Sequence, residues 1–412
     1  MSAAFQSSLT QFRRIFDQLA GKAASRSHTD EPVYEEIQAL AAAGFGRLRV
    51  PVEHGGFGVD LPTLFELLAE AGRADSNVPQ ILRGHFTTVE ILRQSPSPEQ
   101  RTHWLRRIAN GAIFGNAQSE PADDSPDFLP TTKLHHVAGR PVVSGVKYYS
   151  TGALYADYIR VAVAVEDPDD ADAGKVTFAV VDAHDPGVTH DDDWDGIGQR
   201  LTGSGTTRFD AVPVQENGRL GRSKQNLRSI QAFVQLVHLA NLTGIARNVV
   251  DDATALIRSR VRTNLHALSE QPTEDPEVLA VLGHLYRHAQ TADALLVSVA
   301  NSLERANQVA AAGLDAEEAY ARNFIDVSAA QVTIIEAVLD AGAQIFNAGG
   351  ASAIREGTSL DRHWRNARTL ASHNPVIYKP RIIGDFVLNG TTPKSFYDRV
   401  RENSAAGASR HV

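Results

Sequence analysis

The sequence predicts a mostly helical α+β protein with an N-terminal helical domain, a small middle β-domain and a C-terminal four-helix bundle. Three observations carry this prediction. Apolar residues recur at helical spacing over the first 112 residues, short segments rich in β-branched residues follow, and three unusually long helical patterns come after residue 223. A chain of 412 residues is long enough for two or three domains.

The N-terminal domain, residues 1–112, contains four segments with helical periodicity. They read "LTQFRRIFDQLAGKA", "YEEIQALAAAGFG", "LPTLFELLAEAG" and "SPEQRTHWLRRIANG". Glycine and proline separate them, as expected where helices end. We therefore predict helices joined by short turns.

The middle domain, residues 113–222, differs in residue composition from the helical segments before it. Its segments "PVVSGVKYYST", "YIRVAVAV", "KVTFAVVDA" and "TTRFDAVPV" are short and rich in β-branched and aromatic residues. They predict the strands of a small barrel or sandwich. The acidic stretch "EDPDDADAG" predicts a hairpin loop between two of the strands.

The C-terminal domain, residues 223–395, contains three helical patterns far longer than the usual helix of about 11 or 12 residues. Helices of this length predict a bundle, and residues 396–412 read as a frayed tail. A cleft between the β-domain and the bundle would suit a planar cofactor, because ligand sites favour domain interfaces.

Composition excludes several classes of protein. The net charge of −9 and the pI near 5.9 give no support for nucleic-acid or anionic-membrane partners. No apolar run is long enough to cross a bilayer, and the N-terminus lacks the features of a secretory signal. The chain has no cysteine, and its histidines show no metal-binding spacing with carboxylates. We expect a cytoplasmic protein without a metal site.

The familiar catalytic motifs are missing from the sequence: it has no GxGxxG after a strand, no P-loop, no HExxH and no GxSxG. The stretch "SGVKYYSTGALYAD" instead runs from a strand into a Ser-Thr-Gly turn, whose hydroxyl and N–H groups can bond the polar edge of a flavin ring. An ordinary turn explains the same residues. In "SHNPVIYK", Pro375 predicts a helix break that can turn His373 into a cleft. A purely structural role for His373 is the simpler interpretation.

Taken together, several segments resemble the acyl-CoA dehydrogenase family from about residue 5 to 390. "PVEHGGFGVDLPTL", "GNAQSEPADDSPD" and "SGVKYYSTGA" are similar to turn and flavin-loop motifs of that family. The longer stretches "YSTGALYAD", "DDWDGIGQRLTGSGT" and "LDRHWRNARTLASHNPVIYK" resemble one branch much more closely. This branch comprises reduced-flavin monooxygenases such as dibenzothiophene monooxygenase and sulfur-acquisition oxidoreductases.

The resemblance implies roles for particular residues. Catalytic roles fall to His373, Ser150 and Asn116. The substrate pocket is assigned to His85, Trp194 and Asn374. Contacts with the cofactor are assigned to Asn116, Ser150, Thr151, Gly152, Trp194, Arg260, Gly349, Gly350 and Arg368.

Two of these assignments carry further implications. Arg260 corresponds to an arginine near the flavin phosphate, with Arg258 and Arg262 as close rivals. Gly349 and Gly350 match a segment that meets the cofactor of a neighbouring subunit, which implies an oligomer, most simply a homotetramer.

The implied reaction uses reduced FMN, or reduced FAD, from a separate flavin reductase. Reduced flavin and O₂ would give a C4a-hydroperoxide that oxygenates a small apolar substrate, plausibly an organosulfur compound. With an ordinary pKa near 6.5, His373 would shuttle a proton near neutral pH. Asn374 stands where the branch carries an aspartate, which leaves the exact role of the histidine open.

Two alternatives remain open at the level of the sequence. An FAD-dependent acyl-CoA dehydrogenase would need a carboxylate base, and none occurs between Asp361 and Asp385. Another helix could supply it near Asp251 or Asp252. A non-catalytic helical binding protein of the same fold is the second alternative.

Overall fold

The computed structural model describes residues 3–120, 129–221 and 227–393. The predicted tail, part of the "GNAQSEPADDSPD" segment and the predicted boundary at residues 222 and 223 lie outside these ranges. The three-part fold predicted from the sequence is confirmed, with helices, then strands, then helices in chain order. The exact domain limits stay a prediction.

Five helices form the N-terminal part: α1 (Ala3–Thr29), α2 (Tyr34–Ala42), α3 (Leu61–Ala74), α4 (Asn77–Arg93) and α5 (Pro98–Ala109). Side chains cap two of them, since Asp60 accepts a hydrogen bond from the Thr63 N–H at 2.9 Å and Ser97 accepts one from the Gln100 N–H at 3.2 Å. α4 differs from the others because almost every residue along it is buried.

Seven strands follow: β1 (Phe114–Ala117), β2 (Lys133–Val137), β3 (Arg140–Lys147), β4 (Tyr158–Val165), β5 (Val176–Asp182), β6 (Val188–Asp191) and β7 (Thr206–Leu220). The strand order β4-β2-β3-β7-β5 closes on itself because β5 also pairs with β4. Of the two predicted architectures the structure is thus the barrel. β4 and β5 are antiparallel neighbours, which confirms the hairpin predicted at "EDPDDADAG".

The C-terminal helices are α6 (Leu227–Ser259), α7 (Pro276–Ala311), α8 (Glu317–Gln344), α9 (Asp361–His373) and α10 (Lys379–Asn389). α6, α7 and α8 pack against one another, and α9 packs against α6 and α8. One apolar core runs from α1 through α4 into the bundle, so the two helical parts share a core. In the part of the chain that the structure describes, no helix is both long and apolar enough to span a membrane.

α4 is the element that positions the site. It packs against β1 on one side and against α6 on the other. The barrel and the bundle therefore meet across this buried helix.

Candidate functional site

One turn of α4 approaches three of the segments that the sequence singles out. A Cβ atom on Gly152 would lie 2.3 Å from the carbonyl oxygen of Ile81, and one on Gly84 would lie 2.7 Å from the Cβ of Asn116. The charge of Arg83, between them, acts on His373. Because four consecutive helical residues span only about one turn, the structure places the Ser-Thr-Gly turn, β1 and the end of α9 around the same turn of α4, and the region between them is called the cleft below.

The buried hydroxyl of Ser150 is the feature that most clearly indicates a binding site. Ser150 is 1% exposed, and its Oγ has no hydrogen-bond partner among the described residues. Its backbone is fixed, since the N–H donates to Gly205 at 3.2 Å and the carbonyl accepts from Ala153 at 3.0 Å. An unpaired buried hydroxyl costs about 1–3 kcal/mol, which a bound partner would offset.

Thr151 and Gly152 complete the turn. The Thr151 hydroxyl lies 2.9 Å from the Ser204 hydroxyl, and the Gly152 N–H donates to Thr202 at 3.0 Å. Gly152 has φ +77 and Tyr149, just before Ser150, has φ 57. The turn is therefore held in an unusual backbone conformation against α4, and the N–H groups of Ser150 and Gly152 already donate hydrogen bonds within the protein.

Asn116 connects β1 to the same turn. Its N–H donates to the Thr151 carbonyl at 3.3 Å, and its side-chain oxygen accepts from Arg160 at 3.2 Å. The side chain is buried. Asn116 thus lies beside Ser150 as predicted, while its proposed contact with flavin stays a prediction.

A buried ion pair that the sequence reasoning missed supports the turn. Lys147 Nζ donates to Glu120 at 2.6 Å and to the Gln118 carbonyl at 3.2 Å, and both charged side chains are nearly inaccessible. Burial opposes ionisation of Glu120, but Lys147 and the Thr131 hydroxyl outweigh it and lower its pKa to about 2. A lysine directly after the apolar and small residues of "VVSGV" was the available signal.

The end of α9 has the predicted break. α9 ends at His373, and Asn374 is extended with φ −122 and ψ 120. The Asn374 amide donates to Gln235 on α6 at 2.7 Å, and Gln331 on α8 donates to the Asn374 carbonyl at 3.1 Å. Asn374 is therefore fixed between two helices, while His373 keeps accessible atoms at the cleft.

Two further residues at this point were missed by sequence reasoning. The ring of His238, on α6, meets the ring of His373 edge-on, with centroids 4.3 Å apart. His238 is buried, and its Nε2 has no partner among the described residues. Arg83 is 8% exposed and its Nε is likewise unpartnered. Each looked like an ordinary helical residue in the sequence.

The surroundings of the His373 ring influence its protonation. Surrounding protein displaces water from the ring, and together with the nearby Arg83 charge this lowers the pKa of His373 to about 3. The hydrogen bond to Asn374 acts in the opposite direction but does not prevail. These influences favour the neutral imidazole, while the residue keeps exposed atoms, and the role of His373 in proton transfer stays a prediction.

Trp194 and Arg368 lie on segments that border the cleft. The Trp194 indole N–H donates to the Gln199 carbonyl at 3.0 Å, and its ring meets Tyr149 at a centroid distance of 5.9 Å. The loop is attached to α9 because the Gln199 N–H donates to Asn366 at 2.7 Å. Arg368, on α9, hydrogen-bonds Ser372 at 3.3 Å. Their contacts with cofactor or substrate stay predictions.

His85 has a structural position. It is fully buried, one ring nitrogen lies 2.8 Å from the Gly46 carbonyl, and the other accepts from the Phe114 N–H at 3.2 Å. Burial lowers its pKa to about 4. Both ring nitrogens are thus engaged, one with the Gly46 carbonyl after α2 and the other with β1, and the placement of His85 in the substrate pocket stays a prediction.

Arg260, Gly349 and Gly350 come together elsewhere. Arg260 donates to the Ala348 carbonyl at 2.7 Å, and Gly349 packs against Leu256. At about 1.5 Å per residue, this end of α6 lies roughly 30 Å from His238. Within one chain these residues are therefore too far away to share the cleft with Ser150. That they contact the cofactor of a neighbouring subunit stays a prediction.

The carboxylates considered for a dehydrogenase are engaged in ion pairs. Asp251 pairs with Arg73 at 2.5 Å. Asp252 pairs with Arg362 at 2.6 Å and with His363 at 2.7 Å. Both lie more than three turns along α6 from His238. Among the described residues, no group of three or more histidines and carboxylates suits a metal ion.

Sequence comparison identifies the family. The chain matches the N-terminal, middle and C-terminal domains of acyl-CoA dehydrogenase over residues 4–112, 117–212 and 236–377. The chain belongs to the acyl-CoA dehydrogenase family. It is 31% identical to dibenzothiophene monooxygenase of Mycolicibacterium goodii over 87% of this chain and 88% of that protein.

Two further comparisons define the branch of this family member. It is 28% identical to the probable FMNH₂-dependent monooxygenase SfnC of Pseudomonas putida, over 93% of this chain and 96% of that protein. It superposes with a TM-score of 0.86 on FMN-bound TdsC from Paenibacillus sp. A11-2, with 27% identity over 95% of this chain and 100% of that one. The protein is a flavin-dependent oxidoreductase of the monooxygenase branch, which confirms the resemblance seen in the sequence.

The residues at the cleft fit a flavin. The unpartnered buried hydroxyl of Ser150 offers a hydrogen bond to the polar edge of an isoalloxazine ring. The aromatic rings of Tyr149 and Trp194 lie next to the same turn. The barrel, α4 and α9 thus supply both the polar and the apolar contacts that a planar cofactor needs.

Proposed function

We propose that this protein uses FMNH₂ from a separate flavin reductase, together with O₂, to transfer one oxygen atom to a small organosulfur substrate. The second oxygen atom leaves as water, with two electrons and two protons coming from FMNH₂. Its similarity to dibenzothiophene monooxygenase and to an FMNH₂-dependent monooxygenase supports the proposal. The FMN in the TdsC structure favours FMN over FAD.

The observation that carries this proposal is the chemistry of the cleft at the end of α9. His373, His238 and Asn374 are neutral hydrogen-bonding groups, and no carboxylate of the described residues influences the pKa of either histidine. Dehydrogenation of an acyl-CoA needs a carboxylate base to abstract the α-proton. Loss of such a base typically lowers the rate 10²–10⁴-fold. The cleft is therefore suited to oxygen transfer and poorly suited to dehydrogenation.

Each cleft residue has a proposed task. Ser150 and Asn116 bind the polar edge of the flavin ring, which supplies the electrons that activate O₂ when bound. His373 holds a hydrogen bond at the reacting oxygen, and Asn374 fixes the position of His373. Trp194 helps to exclude water, which would otherwise divert the reaction to H₂O₂.

The test is anaerobic titration of the protein with FMN and with FMNH₂, followed by rapid mixing with ¹⁸O₂ and a panel of organosulfur compounds. We expect markedly tighter binding of FMNH₂ than of FMN, and one ¹⁸O atom in the product. Stoichiometric FAD that survives gel filtration and is bleached by an acyl-CoA would refute the proposal in favour of a dehydrogenase. Retention of no flavin in either redox state would indicate a binding protein instead.

Ser150→Ala tests the proposed flavin contact. The hydroxyl makes no hydrogen bond with a described residue, so its removal should not lower the free energy of unfolding of the flavin-free protein, while the ratio of oxygenated product to H₂O₂ falls. Ser144→Ala is the matched control, because Ser144 lies on β3, the strand that precedes the Ser150 turn, and its hydroxyl accepts a hydrogen bond from the Ala211 N–H at 3.1 Å. Unchanged coupling in Ser150→Ala would remove Ser150 from the site.

We further propose that the protein is a homotetramer. Val261, Leu265 and Leu268, in the segment after α6, are 96%, 102% and 76% exposed, and Val387 and Leu388 on α10 are 76% and 83% exposed. Apolar surface of this kind marks contact surfaces.

The oligomer can be tested by light scattering after gel filtration. Leu265→Glu should give smaller species with weaker flavin binding, because Arg260 lies five residues away and its segment is proposed to reach a neighbouring cofactor. Val52→Glu, at an exposed apolar residue in the N-terminal part (71% exposed), is the control. A wild-type monomer that binds FMNH₂ fully would contradict the proposal.

A further inference from the structure

A polar cavity, separate from the cleft, lies where the end of α1, the start of α4 and the start of α9 meet. Its volume is about 40 Å³, enough for about three water molecules. Four arginines from α1, from the loop before β7 and from α9 line it: Arg26, Arg200, Arg362 and Arg365. On α9, Arg362 lies roughly 16 Å from His373 along the helix axis, so the polar cavity is distinct from the cleft.

Arg26 is the residue that most clearly indicates a ligand in the polar cavity. Its side chain is 2% exposed, and its Nη2 donates to Glu36 at 2.6 Å. Its Nε and Nη1 are buried and have no hydrogen-bond partner among the described residues, and the same holds for the hydroxyl of Ser27, the next residue of the lining. Because buried donors are costly to leave unbonded and nearly all of them in proteins are satisfied, these three groups call for an acceptor in the cavity.

The charges at the polar cavity favour an anion over a cation. The carboxylate partners of its arginines are not among the residues that line it: Arg26 pairs with Glu36, Arg200 with Asp30, Arg362 with Asp252 and Arg365 with Asp361. These partners offset part of the positive charge, but they leave donors of Arg26 unbonded. The lining therefore presents guanidinium groups to the cavity while the compensating carboxylates lie outside it.

Asp75 is the only carboxyl group among the described residues that line the polar cavity. It is 5% exposed, and its Oδ1 accepts from the backbone N–H of Asn77 at 2.9 Å and from the Asn77 side chain at 2.8 Å, at the start of α4. Burial raises the pKa of Asp75, although its bonds with Asn77 and the charges of Arg26 and Arg362 oppose the shift. An ionised Asp75 would repel a bound anion, so its replacement has a predictable effect.

The polar cavity is connected to the segments that border the cleft. The Gln199 N–H donates to Asn366 on α9 at 2.7 Å, and the Gln199 side chain donates to the Ser76 hydroxyl at 3.0 Å. Asn366 and Ser76 both line the cavity. The Gln199 carbonyl also accepts from the indole N–H of Trp194 at 3.0 Å. A ligand in the cavity would therefore brace the segments that position Trp194 and His373 without entering the cleft.

We propose that the polar cavity binds a tetrahedral inorganic oxyanion, phosphate or sulfate, which joins the end of α1 to the start of α9. A guanidinium donates pairs of N–H bonds to the oxygens of such an anion, and a hydroxyl donates one more. The acceptor oxygens of a tetrahedral anion point in all directions, which suits donors that converge from separate helices. This inference concerns a second site and does not rest on the proposed monooxygenase function.

The test is calorimetric titration of the full-length protein with phosphate and with sulfate at constant ionic strength. We expect one binding site per chain for these anions. Thermal unfolding should shift upward by about 3 °C at an anion concentration of about 100 times the Kd. Chloride and acetate, which lack the tetrahedral arrangement of oxygens, serve as controls and should produce neither the heat of binding nor the thermal shift.

Two variants should change the affinity in opposite directions. Arg26→Met combined with Glu36→Gln removes the central donor without leaving an unpaired buried carboxylate, and it should weaken binding by about tenfold or more. Asp75→Asn keeps an oxygen that can cap α4 and removes the repelling charge, so it should tighten binding by about fivefold. Arg14→Met, at an exposed arginine of α1, is the control for net charge and should bind as wild type does. If the double variant does not fold, Ser27→Ala replaces it, with an expected loss of about threefold.

Three outcomes overturn the proposal. The absence of both heat and thermal shift with phosphate and with sulfate would show that the cavity holds only water. Displacement of bound phosphate by FMN would make the cavity part of the flavin site. Unchanged affinity in the Arg26 double variant, or in Ser27→Ala where that variant is used, would place the anion elsewhere on the protein, as would affinity that does not increase in Asp75→Asn.

Discussion

Replacing Gly152 by alanine tests whether α4 holds the flavin-binding turn in place. Gly152 has φ +77, a conformation that costs a residue with a side chain about 1–2 kcal/mol. The added Cβ would also lie 2.3 Å from the Ile81 carbonyl oxygen, a backbone atom of a buried helix that cannot easily move. Overpacking of this kind typically costs about 1–3 kcal/mol more. The expected total loss is about 2–5 kcal/mol.

Gly139→Ala is the matched control. Gly139 has φ +75 but nothing lies within 4 Å of its added Cβ, so only the backbone cost of about 1–2 kcal/mol applies. Both variants should be compared with wild type by urea denaturation, and FMNH₂ binding should be measured in the folded state. We expect Gly152→Ala to be less stable than Gly139→Ala and to bind FMNH₂ more weakly, because the shift moves Ser150. Equal stability of the two variants would refute the proposed contact with α4.

Three other predictions follow from the site. His373→Ala should bind FMNH₂ normally but lose oxygenated product by about 10²-fold or more, with H₂O₂ as the measured alternative product; a wild-type rate would make this residue structural. Asn374→Asp should raise the pKa of His373 and shift the pH–rate profile to higher pH, whereas an unchanged profile would show that the two side chains are not coupled. Glu120 has a folded pKa of about 2, below the ordinary 4.5. Its ionisation should therefore contribute about 3 kcal/mol to the free energy of unfolding, which is fully present above pH 4.5 and is lost as the pH falls toward 2. Urea denaturation of Glu120→Gln between these pH values should lack this dependence, and an identical pH dependence in wild type and variant would contradict the assignment.

Much of the fold could be predicted because it depends on local pattern. Helical periodicity and the caps at Asp60 and Ser97 identify helices without reference to the rest of the chain. The choice between barrel and sandwich stayed open because it depends on which strand meets β4. That pairing is set by long-range contacts, such as Val161 with Ala179, that periodicity does not encode.

The site was harder to predict because burial decides its chemistry. The Ser150 turn and His373 stand out in the sequence, since a turn and a proline-induced break are local features. Arg83 and His238 do not stand out in the sequence. An arginine on an amphipathic helix is normally solvated, and it becomes unusual only when tertiary packing separates it from water. The same burial gives His85 two backbone partners, and the protein packed around the His373 ring, together with the Arg83 charge, lowers the pKa of that ring.

The charge of Arg83 also bears on why this fold, in this chain, does not suit dehydrogenation. A carboxylate placed at the end of α9 would lie beside a buried guanidinium that stabilises its ionised form and lowers its pKa. A carboxylate with a lowered pKa is a weaker base, so the cleft would oppose proton abstraction even if the missing acidic residue were restored. The same field favours a neutral imidazole at His373, which can donate a hydrogen bond without adding a second positive charge. The positive charge on this turn of α4 therefore opposes dehydrogenation at the cleft.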